Sequence, residues 1–409
     1  MNEALTALKD RGFIQQCTDI DALDRLMSEG PVTFYVGFDP TGPSLHAGHM
    51  IPLYAMCHLA RAGHKPIALI GGGTARIGDP SGKTEMRKML SVDQIAENGR
   101  LMGNQIKAFL AKQSVEAAYV DNSEWLAGLN YIEFLRDIGR HFSVNRMLSF
   151  ETYKMRMETG LSFIEFNYQL LQSYDFLVLN RDHGCRLQAG GDDQWGNIVA
   201  GADLIRRVRS EECYGLTFPL VTRADGKKMG KTEKGAVFLD AAMVSPYEFF
   251  QYWRNVPDQD VEKFLKLYTF LSLDRIAELG ALRGREINTA KEVLATELTT
   301  LVHGREEAEK AVAASRAAFT QAAGDTSAIP EISVPESEIS AGINVLDLFA
   351  RTDLCSSKSE ARRLVAQGGA RVNDRKIEDV ETVIDVSWAD DSQLVLRAGK
   401  KRYFRVVVG

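Results

Sequence analysis

No apolar run in these 409 residues is long enough to cross a bilayer, and no two cysteines are spaced as C-x-x-C. The five cysteines, Cys17, Cys57, Cys185, Cys213 and Cys355, are odd in number and scattered, which argues against a disulfide framework and against a zinc ribbon. They read as reduced, mostly structural thiols. The seven histidines are equally dispersed apart from His46 and His49, so no resident metal site is expected and any metal should arrive with a nucleotide. No repeat or low-complexity tract is present, which excludes a solenoid. The opening MNEALTALKDRGF lacks the apolar stretch of a targeting segment, so a cytoplasmic location is the expectation. A basic excess is missing too. The net charge is −6, with 45% hydrophobic and 25% charged residues, so any nucleic-acid surface must be local.

What is present is length for two or three domains and a recurrent strand, glycine loop, helix pattern. After a helical opening, Val32 to Phe38 is a β-rich run closed by the turn residues Asp39 to Pro43, and helical periodicity follows Leu45. A second strand, Pro66 to Ile70, empties into GGGTARIGDPSG, with a helix expected from about Thr84. Helical segments from Val92 to about Tyr174 interrupt the sheet. A strand around Cys185 to Gln188 then leads into GGDDQWGN and a helix, and Gly215 to Val221 reads as a final strand. This is the grammar of an α/β, doubly wound parallel sheet, in which ligands lie at the carboxyl ends of the strands. From Ser245 to about Ala323 the pattern is helical, with aromatic residues at core spacings, and Gly324 to Ser340 has the small, acidic and proline-bearing composition of a linker. The expected segments are 1–222 for the sheet with its helical insertion, 223–323 for a lysine-rich loop and helical domain, 324–340 for the linker, and 341–409 for a small α+β domain.

Three segments carry chemistry. In Leu45-His46-Ala47-Gly48-His49 the two histidines are three apart at the first turn of a helix, hence on one face, and Gly48 lets a planar ligand approach where the helix N-terminus favours phosphate. In RADGKKMGKTEKG the lysines sit in a glycine-bearing loop able to fold over a triphosphate and neutralise departing pyrophosphate. In NYQLLQSYD, Tyr168, Gln172 and Asp175 are four and three apart, so one helical face presents a phenol, an amide and a carboxylate. The string Gly78-Asp79-Pro80-Ser81-Gly82-Lys83-Thr84 imitates a phosphate-binding P-loop but fails its spacing by one residue, and Pro80 removes a backbone donor. In LQAGGDDQWGN, Gly190 and Gly191 permit close backbone approach and Asp193 is placed to accept from ribose hydroxyls.

The H-x-G-H motif after an early strand, followed much later by Lys228-Met229-Gly230-Lys231-Thr232, resembles the paired signatures of class I aminoacyl-tRNA synthetases. Ala47 replaces the usual isoleucine, and the Gly230-Lys231-Thr232 ending is typical of the tyrosyl branch. YVGFDPTGPSLHAGH, GDPSGKTEMR, EFNYQLLQSYDF, LQAGGDDQWGN and KKMGKTEKGAVFLD fit that branch in the same order and cover nearly the whole chain. The resemblance implies a Rossmann-like catalytic domain that activates tyrosine with ATP, accompanied by Mg2+, and transfers it to tRNA. It further implies that Tyr168, Gln172 and Asp79 bind the substrate ammonium, that Tyr35 and Asp175 meet its phenolic hydroxyl, and that Gln188 and Gln194 contact the pocket and carboxylate. Gly37, Asp39, His46, Gly48, His49, Gly191, Asp193, Lys228 and Lys231 would hold ATP. Thr41, His46, His49, Lys83, Arg87, Lys228, Lys231 and Thr232 would stabilise charge during the reaction, Lys83 and Arg87 from a mobile loop.

Beyond residue 340 the chain resembles the small RNA-binding domain shared with ribosomal protein S4. Lys358, Arg362 and Arg363 fall on one short helix ended by Gly368 and Gly369, with a strand beginning at Val372-Asn373. Twelve Lys or Arg stand against nine Asp or Glu from Arg351 onward, a polarity that suits a phosphate backbone. Arg206, Arg207 and Arg209 are candidates for the acceptor stem. The resemblance implies a symmetric homodimer with tRNA spanning both subunits. The alternatives are a tryptophanyl-type synthetase and a noncatalytic RNA-binding paralogue.

Overall fold

A computed structural model of the protein describes residues 1–81, 89–222, 231–232, 235–320, 330–390, 392–399 and 402–409, with backbone alone at 231–232, 235 and 317–320. The start expected for a helix at about Thr84 lies outside the described residues; the next described helix is Val92–Lys112. Two compact units form, one from residues 1–243 with 256–294 and one from 244–255 with 295–409.

The first unit is built on a sheet whose strands are β1 (Gln16–Cys17), β2 (Thr33–Phe38), β3 (Lys65–Ile70), β4 (Ala118–Asp121), β5 (Cys185–Gly191) and β6 (Tyr214–Phe218). Their spatial order is β1-β6-β5-β2-β3-β4. All neighbours are parallel except β1, which lies antiparallel on the edge against β6. From the central β2 the chain winds outward through β3 and β4, then returns to lay β5 and β6 on the other side. The reversal opens a crevice above the carboxyl ends of β2 and β5. β2 and β3 read as continuous apolar runs because helices cover both faces of a parallel sheet. Helix Met50–Arg61 illustrates this, burying nine of its twelve residues, Met50 to Ile51 and Leu53 to Leu59.

Two strands escaped the sequence pattern. β4 falls inside the stretch read as helical, and β1 is two residues long. A two- or four-residue edge strand contains too few residues to display a period of two. The motif strands differ only at their ends. Past the sheet, β7 (Lys231–Thr232), at the end of the lysine-rich motif, pairs antiparallel with β8 (Gly235–Ala236).

In the second unit β9 (Glu331–Val334), β10 (Ile343–Asn344), β11 (Ala370–Val372), β12 (Arg375–Lys376), β13 (Val383–Ile384), β14 (Gln393–Ala398) and β15 (Arg402–Val408) form a five-stranded sheet, ordered β12-β11-β14-β15-β9, and a separate β10-β13 pair. Helices Val345–Ala350 and Lys358–Ala366 pack on it through Leu346, Phe349 and Val365. β9 lies within the stretch whose composition marks a linker, and it pairs parallel with β15. Its alternation of exposed and inward residues, with Val334 buried, is what a covered sheet edge requires. Asn373 is not in a strand: it and Asp374 take positive φ (44° and 59°) in the turn between β11 and β12, where asparagine and aspartate are tolerated.

Candidate active site

Above β2 and β5 lies a cleft of about 430 Å³. Its walls bring together Tyr35, Gly37, Asp39, His46, Gly48, His49, Asp79, Tyr168, Gln172, Asp175, Gln188, Gly191, Asp193 and Gln194, residues drawn from segments separated by up to 159 positions in the numbering. Thr41 stands outside this lining, exposed in the turn after β2. Lys83, Arg87 and Lys228 fall outside the described residues, as do the side chains of Lys231 and Thr232.

The floor is the most enclosed part. Tyr35 on β2 is 1% exposed, its ring 5.4 Å from that of Phe176, and its hydroxyl has no hydrogen-bond partner among the described residues. Asp175, on helix Tyr168–His183, is 2% exposed. Its Oδ1 accepts from Trp125 Nε1–H at 2.7 Å and its Oδ2 from Asn122 Nδ2–H at 2.8 Å. Burial pushes the Asp175 carboxyl up from 3.8 to about 8, with the two donors opposing and the Asp39 and Asp121 charges adding to the rise. Burial, reinforced by Asp175, also raises Tyr35 well above its ordinary value. On β5, beside Tyr35 in the register, Gln188 is buried with its Oε1 likewise unpartnered among the described residues.

The displaced carboxyl makes stability depend on pH. Between about pH 4 and pH 8 the folded chain keeps a proton on Asp175 that the unfolded chain releases, so the folded state binds more protons and this contribution falls as pH rises through that window. The melting temperature of the ligand-free protein is therefore expected to drop between pH 5 and pH 8.5, and to drop less in Asp175→Asn. Equal drops in both proteins would contradict this origin.

Above the floor a polar girdle surrounds the cleft. Tyr168 donates its hydroxyl to Asp39 Oδ2 and Thr74 donates to Asp39 Oδ1, both at 2.8 Å. Asp39 lies so close to the backbone at Gly71 that a Cβ there would stand 1.9 Å from its Oδ1. Gln194 Nε2 donates to Asp79 Oδ2 at 2.7 Å, while Asn197 Nδ2 donates to Gln194 Oε1 at 3.1 Å and to Gln172 Oε1 at 3.0 Å. Two carboxylates and a phenol facing one space favour a cationic guest. Burial, then Asp39 and Asp79, raise the Tyr168 hydroxyl well above its usual range.

At the open end His46 caps the short turn Ala47–His49. Its Nδ1 accepts the Gly48 backbone N–H at 3.0 Å, and the His46 backbone N–H donates to His49 Nδ1 at 3.1 Å. Both Nδ1 atoms act as acceptors, so in the neutral rings each proton sits on Nε2, and each ring can donate from that nitrogen. The ring centroids are 4.0 Å apart. Gly48 is needed here for a reason the sequence did not suggest: a Cβ would come within 2.9 Å of the His46 ring. The segment following the lysine-rich loop is joined to this motif. Ala47 N–H donates to Val237 O and Leu239 N–H to Leu45 O, both at 2.9 Å.

Asn122, Trp125, Thr74 and Asn197 are the polar residues that sequence reading missed. Asn122 also accepts the Gly73 N–H at 2.7 Å and donates to Thr74 Oγ1 at 2.9 Å, tying the loop after β3 to the loop after β4. No local signal marks them, because each reaches at least one partner distant in the chain: Asp175 for Asn122 and Trp125, Asp39 for Thr74, Gln172 for Asn197.

Among the basic candidates, Arg206 pairs with Asp203 at 3.0 Å and Arg207 donates to the His141 carbonyl. Lys358 pairs with Asp347, and Arg362 and Arg363 share its helix with exposed side chains. Among the described residues no three His, Cys, Asp or Glu side chains are grouped to hold a metal, and no helix is long and apolar enough to cross a membrane.

Residues 27–320 match the family model of class I tRNA synthetases (W and Y), and residues 327–406 match that of the tyrosine–tRNA ligase SYY-like C-terminal domain. The chain is 60% identical over 408 residues to the tyrosine–tRNA ligase of Treponema denticola, covering 100% of both chains, and 50% identical to that of Clostridium tetani, covering 100% of this chain and 99% of the other. It resembles the crystal structure of a C-terminally truncated mitochondrial tyrosyl-tRNA synthetase from Aspergillus nidulans, with a TM-score of 0.69 at 30% identity, over 76% of this chain and 92% of that one. The Archaeoglobus fulgidus tyrosyl-tRNA synthetase complexed with L-tyrosine shares the fold, with a TM-score of 0.58 at 20% identity over 76% and 99%.

Proposed function

The chain belongs to the class I tyrosine–tRNA ligases, and from that premise we propose how its residues divide the reaction. The enzyme joins tyrosine to ATP as an adenylate, releasing pyrophosphate, and then passes the tyrosine to the terminal ribose of its tRNA. In our reading the substrate phenol enters the floor between Tyr35 and Asp175. Its ammonium lies among Tyr168, Gln172 and Asp79, with Gln188 and Gln194 lining the pocket and the carboxylate path. That carboxylate attacks the α-phosphorus in line. His46 and His49 donate from Nε2 to the phosphates while Thr41, Lys83, Arg87, Lys228, Lys231 and Thr232 stabilise the charge on the departing pyrophosphate. Catalysis on this scheme consists of positioning and charge stabilisation. Asp193 accepts from the ribose, with Gly37, Asp39, Gly48 and Gly191 leaving the nucleotide room. Mg2+ enters with ATP.

The observation that carries this reading is the Tyr35 hydroxyl, buried and without a partner among the described residues, in the same enclosed floor as Asp175. A guest hydroxyl satisfies it, whereas phenylalanine leaves it stranded. Tyr35→Phe is expected to lower kcat/KM for tyrosine in ATP–pyrophosphate exchange about tenfold, the worth of one net hydrogen bond, with little change for phenylalanine. An unchanged tyrosine-to-phenylalanine ratio would remove Tyr35 from recognition.

The tryptophanyl alternative is not favoured, since the full-length relatives named above are tyrosine ligases. A noncatalytic paralogue would have no reason to keep His46, His49 and the lysine motif. We further infer that residues 1–222 carry activation, 223–323 the lysine loop and its helical support, and 341–409, joined through 324–340, the tRNA contact through Lys358, Arg362 and Arg363, with Arg206 and Arg207 at the acceptor stem. A cytoplasmic homodimer completes the reading. Exposed Tyr131 and Phe163 rim an apolar hollow of about 550 Å³ that includes Leu126, Phe134 and Leu171, the kind of surface a second subunit covers.

A further inference from the structure

A hydrogen-bonded ring outside the cleft ends on the turn that carries two of its residues. Edge strand β1 pairs with β6 through Gln16 and Thr217. The Gln16 backbone N–H donates to Thr217 Oγ1 at 3.1 Å, and the Thr217 hydroxyl donates in turn to Asp192 Oδ1 at 2.7 Å. Gln16 Nε2 donates to the same Oδ1 at 2.8 Å. Thr217 is fully buried, accepting from Gln16 and directing its own proton to Asp192 Oδ1. Two donors fixed by the sheet thus converge on one carboxylate oxygen.

Asp192 opens the short turn Asp192–Gln194, whose other two residues face the cleft. A single turn of this kind has one closing hydrogen bond, from Trp195 N–H to Asp192 O, which does not by itself fix where its side chains stand. The consequences of a shift would be spread widely, because Gln194 holds Asp79 and is tied through Asn197 to Gln172. We propose that Asp192, held by Gln16 and Thr217, is a positioning residue that sets the stance of Asp193 and Gln194, so that the edge strand β1 governs affinity for the nucleotide. The role rests on the reading of Asp193 as the ribose acceptor. Asp192 itself does not line the cleft.

In the full-length enzyme, Asp192→Ala is expected to raise KM for ATP about tenfold in pyrophosphate exchange with kcat within about twofold, the loss of one charge-assisted anchor felt in binding. Asp192→Asn should return KM to within about twofold of the parent, because its Oδ1 still accepts from both donors. Gln16→Leu removes one donor and leaves the other, so a rise of about threefold is expected. An unchanged KM in Asp192→Ala, or an equal loss in Asp192→Asn, overturns the proposal, as does a fall in melting temperature and kcat with KM unmoved. Asp193→Ala, measured alongside, separates the two layers. If it raises KM for ATP while Asp192→Ala does not, the positioning role fails and the ribose reading stands. If it leaves KM untouched, the ribose reading fails and the positioning role falls with it.

Discussion

Asp175→Asn is expected to lower kcat/KM for tyrosine activation roughly a hundredfold while leaving the low activity toward phenylalanine nearly unchanged, the scale of leaving a buried polar group without its partner. The structure explains why so conservative a change is costly. Each Asp175 oxygen already accepts from one fixed donor, Trp125 Nε1–H on one side and Asn122 Nδ2–H on the other. Asparagine keeps one acceptor. Whichever way its amide is turned, an NH2 group faces one of those donors, and the side chain must leave the position that, on the proposed reading, serves the substrate hydroxyl. Phenylalanine makes no hydrogen bond there and has nothing to lose. Exchange kinetics with both amino acids decide the matter: a parallel fall for both would indicate a damaged pocket, and no fall for tyrosine would assign phenol recognition elsewhere.

The second large effect concerns the histidine motif. His46→Ala should slow adenylate formation by about 10²–10³-fold in kcat, the usual cost of removing one preorganised donor to developing charge, with tyrosine KM within about twofold. Two functions are lost together, since His46 Nδ1 also caps the Gly48 N–H. Conservative variants separate them. His46→Asn can keep the cap through its amide oxygen but ends short of the Nε2 position, whereas His46→Gln reaches that position and gives up the cap. Pre-steady-state measurement of adenylate formation should find His46→Gln faster than His46→Asn. The reverse order would make the motif's contribution structural, and wild-type rates in His46→Ala would remove it from the reaction.

That the histidine motif meets the segment after the lysine loop was only half visible beforehand. Their residue types announced phosphate chemistry, but the 45–47 and 237–239 backbones are paired by two hydrogen bonds between segments with no shared pattern. The same holds at the floor. Tyr168, Gln172 and Asp175 were placed on one helical face by the 3.6-residue period, and that helix is present as Tyr168–His183. The amide and the indole that orient Asp175 lie just before and within the short helix Ser123–Leu126, where an asparagine and a tryptophan look like a helix start and a core residue.

Read by itself, the chain determined the alternation of strands, loops and helices, because burial periodicity and loop composition are local properties, and the motifs of the family it resembles picked out fourteen of the residues that line the cleft. Tertiary structure alone decided which polar groups find partners among the described residues: the Tyr35 hydroxyl has none there, Asp175 is doubly held, and a ring of bonds runs from Gln16 to Asp192. It also decided that β4 and β1 are strands and that β9 closes the edge of the terminal sheet. The physical reason is the same throughout. A hydrogen bond between residues 16 and 192, or a pairing of 331 with 405, depends on the folded path of the backbone between them, and no window of neighbouring residues encodes that path.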